Sequence, residues 1–85
     1  MNHTDIWNNI NDELRKDKRE YTNYPEHIMA QVGMIGKELG LLTQAAYSSK
    51  YDKLKDINSY YHDMEIRKTA IKTAVAAIRF LENIK

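Results

Sequence analysis

PEHIMAQVGMIGKELGLLTQAAYSS, residues 25–49, is the stretch that decides the fold. Ile28, Val32, Ile35, Leu39, Leu42 and Ala46 recur at steps of four and three, which draws one apolar stripe along a helix. The spacing predicts a helix over about 25–48. Pro25 suits its first turn, where the missing N–H has no intrahelical partner to lose. All three glycines of the chain, Gly33, Gly36 and Gly40, fall inside this helix. Each costs about 1 kcal/mol relative to alanine in a helix interior. Something must offset that cost, and the expectation is close approach of another helix or a ligand along the flat strip they leave.

Upstream, Thr4 or His3 can open a helix over about 4–22 with Ile6, Trp7, Ile10 and Leu14 on one side. Asn8, Asn9 and Asn11 lower its intrinsic propensity, so packing must hold it. Residues 15–20, RKDKRE, read as a solvated helix face, and a turn at Tyr21–Tyr24 follows. Downstream, Ser48–Tyr51 ends the long helix. Leu54, Ile57, Tyr61 and Met64 then predict a short helix over about 52–60, with a break within 58–63 where Asn58–Ser59 or Asp63 caps a restart. The last helix, about 63–84, carries a wide apolar band: Ala70, Ile71, Ala74, Val75, Ala77, Ile78, Leu81 and Ile84. A band that wide implies contacts on two sides. The expected architecture is a single all-α domain of three to four helices. Its long antiparallel hairpin completes a four-helix bundle by homo-oligomerisation, through Gly33, Gly36, Gly40, Ala74, Ala77 and Ile78.

Eighty-five residues make one small domain with a thin core. Thirteen basic and twelve acidic residues nearly balance, and only a mild split exists, −2 over residues 1–49 and +3 over 50–85. That excludes a general nucleic-acid binder with a basic stripe, though it leaves room for a local anion site. The absence of cysteine removes disulfides and thiolate metal sites and fits a reducing compartment. No apolar run is long enough for a membrane span and none resembles a signal peptide, so a cytoplasmic protein is expected.

The residues give little support to nucleophilic or zinc chemistry. His3, His27 and His62 are scattered and form no i, i+4 pair. The acidic pairs Asp12–Glu13, Asp52–Asp56 and Asp63–Glu65 read as solvated surface, whereas Glu38 alone sits beside the apolar stripe of a core helix. Six tyrosines, Tyr21, Tyr24, Tyr47, Tyr51, Tyr60 and Tyr61, gather at element ends. Amphipathic capping of a bundle explains them first. The sharper reading stacks some of the rings on a base while Lys50, Lys53, Lys68, Lys72 or Arg79 meets a phosphate.

Two segments resemble the all-α MazG-like nucleoside triphosphate pyrophosphohydrolases, especially short phage-borne forms. The first is Tyr24–Ala46, where a proline-opened helix leads into Lys37-Glu38-Leu39-Gly40-Leu41 at the place of the family's Glu-Glu-Leu-Gly-Glu. The second is 67–82, RKTAIKTAVAAIRFLE, which is similar to the family's closing helix. In that family, carboxylates from these two helices hold Mg²⁺ against a triphosphate. Here Lys37, Leu41, Thr69 and Lys72 stand where acids are expected, and Glu38 alone remains. The resemblance therefore implies a catalytically degenerate relative, phage-derived, that works by sequestering a nucleotide or by blocking a host defence protein in the host cytoplasm. The expected nucleotide-binding residues are Tyr24, Lys37, Glu38, Lys68, Lys72 and Arg79, with Glu38 paired to Lys72 or Lys37. No catalytic residue, no metal site and no cofactor is expected. Two other readings stand beside this one: a structural helical adaptor, and a Mg²⁺-dependent pyrophosphohydrolase using Asp52, Asp56, Asp63 or Glu65.

Overall fold

A computed structural model describes the backbone of residues 1–51 and 55–84 and the side chains of residues 1–50 and 63–84. Among these the chain is all-α: α1 (His3–Glu20), α2 (Ile28–Tyr51) and α3 (Lys55–Asn83), with no strand. Features read from Tyr51, Asp52, Lys53, Asp56, Tyr60, Tyr61 and His62 lie outside the described side chains.

Each helix boundary has a local cause. Asn2, rather than His3 or Thr4, caps α1: its Oδ1 accepts the Asp5 N–H at 2.8 Å. Asp5 in the first turn and Lys18 and Arg19 in the last match the helix dipole. The second helix starts at Ile28, three residues after Pro25, so the proline sits in the preceding loop rather than in the first turn. Gln31, 7 % exposed, holds that loop by donating from Nε2 to the carbonyls of Pro25 (2.8 Å) and Glu26 (3.4 Å). The break expected within 58–63 does not occur, because α3 runs unbroken through it. The segment contains neither glycine nor proline, and asparagine, serine and aspartate are only mildly unfavourable inside a helix.

The third helix is the middle of the molecule. Both α1 and α2 pack on it, and they do not pack on each other. Antiparallel to α3 lies α2: Ile28 and Gln31 share a groove with Asn83 and Ile84, while Met34 and Glu38 sit across from Val75 and Ala76. Parallel to α3 lies α1. Its Ile6 and Ile10 adjoin Ala70, Ile71 and Ala74, and its Asp17 and Lys18 meet Arg79 and Glu82. Every residue from 71 to 80 is buried or partly buried. The second side of the apolar band is thus met by α1 of the same chain, and Ala74 faces α1 rather than the surface that carries the glycines.

Only the Ile35 and Leu42 edge of the stripe on α2 belongs to the face that packs. Gln31, Met34, Ile35, Glu38, Leu42, Ala45, Ser48 and Ser49 are the buried or half-buried positions among the described side chains of α2, whereas Ile28, Val32, Leu39 and Ala46 are exposed. The apolar stripe is turned about a quarter of the helix circumference away from α3. Beside it lie the three glycines, also exposed. A methyl group built on any of them meets nothing within 4 Å, and none has positive φ. Among the described residues none closes on them. With Met29 (77 % exposed), Thr43 and Tyr47 they complete a face that carries no charge from Ile28 to Tyr47, with Lys50 following on it in the last turn.

What remains inside is small. Val75, 2 % exposed, is the one fully buried apolar side chain among the described residues. The accessible surface is 6633 Å², against about 5,200 Å² for a folded monomer of this mass, a surplus of roughly 1,400 Å². The radius of gyration is 14.4 Å, where about 12 Å is usual for this length. Val75→Ala is expected to cost about 2 kcal/mol in urea unfolding. A cost near zero would show that the three helices are not held at this point.

Candidate functional site

The site grows out of one arginine. Arg79, 6 % exposed on α3, donates from Nη1 to Asp17 Oδ2 at 3.0 Å and to the Tyr21 carbonyl at 2.9 Å. Its guanidinium also lies over the Tyr24 ring, 4.7 Å from the centroid. One side chain therefore ties together the end of α1, the α1–α2 loop and the middle helix. Lys18 adds a second, exposed tie to Glu82 at 3.1 Å. The charge run 15–20 is thus only partly a solvated face, since its Asp17 is the counter-ion of a buried cation.

Above Arg79, α1 and α2 stand apart and leave a cleft of about 120 Å³ floored by α3. Glu13, Asp17 and Glu20 line it from α1, Met34, Lys37 and Glu38 from α2, and Lys72, Val75 and Ala76 from α3, with Tyr21 and Tyr24 from the loop. Five of the six residues expected to meet a nucleotide are here: Tyr24, Lys37, Glu38, Lys72 and Arg79. Lys68 is elsewhere, in an open groove with Asn9, Asp12, Lys16 and Arg19. Glu13, Asp17 and Glu20 were not expected in the site. Their signal is the spacing i, i+4, i+7, which puts three carboxylates on one face of α1.

Among the described residues three buried polar atoms have no hydrogen-bond partner: Glu38 Oε2, Tyr24 Oη and Arg79 Nε. All three belong to residues lining the cleft. The expected ion pair between Glu38 and Lys72 or Lys37 is not formed; Glu38 keeps an unpartnered oxygen while Lys37 is exposed and Lys72 half-buried. Burial pushes the Tyr24 phenol above its ordinary value, Arg79 pulls it back, and Asp17 raises it again.

Of the positions at which the resemblance expects magnesium ligands, Glu38 alone keeps a carboxylate. Among the described residues no three histidine or carboxylate side chains are grouped to hold an ion. Thr69, at one expected ligand position, turns its hydroxyl back to the carbonyls of Glu65 (2.7 Å) and Ile66 (3.1 Å). Leu41, at another, is an exposed hydrocarbon on α2. Asp63 and Glu65 do not line the cleft. No helix among the described residues is long and apolar enough to cross a membrane.

Two substitutions check this description. Asp17→Ala leaves Arg79 buried without its counter-charge and is expected to cost about 3 kcal/mol in denaturant unfolding. Tyr24→Phe removes an unpartnered buried hydroxyl and is expected to raise stability by about 1 kcal/mol at neutral pH. The gain should widen above pH 10. There the tyrosine of the unfolded chain ionises before the buried one, so the wild-type fold loses stability as pH climbs toward the raised native value. A loss of stability in Tyr24→Phe would mean that the hydroxyl is partnered. Comparison with models of known families, with curated proteins and with solved structures finds no match to this chain.

Proposed function

We propose that this chain is a catalytically silent binding protein of MazG-like type that works as a homo-oligomer and captures a nucleotide in the cleft between α1 and α2. The observation that carries the reading is the convergence of Tyr24, Lys37, Glu38, Lys72 and Arg79, from three separate segments, on one cleft with Glu38 left unpaired. Binding without turnover is the reading the donor set favours: lysine, leucine and threonine replace the acids from which a divalent ion would be held. The phage setting and the role against host defence rest on the resemblance alone.

The oligomer is supported by a separate observation. Ile28, Met29, Val32, Leu39 and Tyr47, interleaved with the open glycines, present an uncharged face along α2. The favoured occupant is a second copy, whose own glycine face lets two helices approach closely and so offsets the cost of the glycines. A host protein is the other occupant the reading allows, and the mass in solution separates the two.

Thermal unfolding without metal, run against linear and cyclic nucleotides, tests the first half. A ligand at a hundredfold excess over its dissociation constant stabilises the fold by about 2.7 kcal/mol, which shifts the midpoint by several degrees. No shift with any nucleotide removes the reading, and magnesium-dependent release of pyrophosphate from a triphosphate replaces it with the enzyme. Light scattering tests the second half. Gly36→Leu is expected to reduce an oligomer to the 10.0 kDa chain. A wild-type monomer leaves the α2 face to a different protein.

A further inference from the structure

Resting on the nucleotide reading above, the chemistry of the cleft says which end of the ligand enters and which base it carries. We propose that the base enters, that the phosphates stay outside near Lys37, and that the cleft selects guanine through Glu38.

Charge decides the orientation. The cleft holds four carboxylates, Glu13, Asp17, Glu20 and Glu38, and three cations, Lys37, Lys72 and Arg79. Asp17 and Arg79 neutralise each other at 3.0 Å. Three carboxylates then face two ammonium groups, and a phosphate chain brought among them meets net repulsion. A neutral base meets none. Size agrees: about 120 Å³ is well below the ~300–1,000 Å³ of pockets that enclose a whole ligand, so the cleft takes one end of it. The exposed Lys37 at the rim is placed for the charged end.

The unpartnered atoms decide the base. A carboxylate oxygen only accepts, the Arg79 Nε–H only donates, and the Tyr24 hydroxyl does either. The ligand must therefore bring a donor to Glu38 and an acceptor to Arg79, while Tyr24 takes either. Among the bases, guanine alone offers two adjacent donors on one edge, the N1–H and the 2-amino group. A carboxylate accepts such a pair in bidentate fashion, and O6 and N7 beside the pair are acceptors. Adenine and cytosine set a ring acceptor next to their amine, which opposes a carboxylate. Uracil offers a single N–H between two carbonyls.

Calorimetric titration of the wild-type protein, without metal, with GMP, IMP, AMP, CMP and UMP tests this. GMP is expected to bind tightest. IMP, which lacks only the 2-amino group, should be about tenfold weaker, and the other three about ten- to a hundredfold weaker. Glu38→Gln keeps the shape of the side chain and should bring the GMP-to-IMP ratio close to one. The IMP comparison uses the unmodified protein, so it stands even where the variant folds poorly. Equal affinity for all five, or a GMP-to-IMP ratio that survives in Glu38→Gln, overturns the guanine assignment and leaves the nucleotide reading intact. Absence of binding by every nucleotide removes that reading, and the guanine assignment falls with it.

Discussion

The position of Arg79 is the constraint on which the arrangement of this small protein depends. Two of its neighbours are helix ends. With α1 parallel to α3 and α2 antiparallel, the carboxyl ends of α1 and α3 and the amino end of α2 gather at one pole. Two negative helix ends at one pole call for a cation, and Arg79 meets that need by bonding the Tyr21 carbonyl just past α1. The same guanidinium neutralises Asp17 and covers Tyr24. Lysine, a single compact charge without a planar fork, does not reproduce that set of contacts. Because α1 never packs on α2, the contacts of each with α3, Arg79 among them, fix the width of the cleft between them.

The loop is the second part of the same device. Proline 25 restricts Tyr24, and Gln31 reaches back from the first turn of α2 to hold the carbonyls of Pro25 and Glu26. The ring of Tyr24 is thereby set against Arg79, and its hydroxyl is carried into a place where the chain offers it no partner. Buried groups left in this state are costly, and they mark where a folded protein has kept polar capacity for something outside itself.

Much of this was legible in the sequence, and what was not has a physical reason. Helical periodicity named the helices, and the turn at Tyr21–Tyr24 stood where it was expected. The face of α2 was misjudged because periodicity reports an apolar stripe and not what covers it: Ile28, Val32 and Leu39 look like core, yet Gln31, Glu38 and Ala45 do the packing. The extra break in α3 came from counting polar residues as stops where no glycine or proline enforces one. In the cleft, Tyr24, Lys72 and Arg79 were reached from the pattern of aromatic rings and cations, and Lys37 and Glu38 through a family resemblance. Glu13, Asp17 and Glu20 were hidden inside a charge-rich stretch that resembles any solvated helix. Pairing between residues 17 and 79 is a tertiary fact, set by the parallel course of α1 along α3, and no local pattern carries it.

The three open glycines have one more consequence. Relative to alanine they leave α2 poorer by about 3 kcal/mol in helix-forming tendency, and no neighbour in the chain makes that up. For a domain whose whole margin is expected to be a few kcal/mol, this is a large share. If the uncharged side of α2 is where copies meet, folding and assembly are one equilibrium, and dilution unravels this molecule much as warming unravels others.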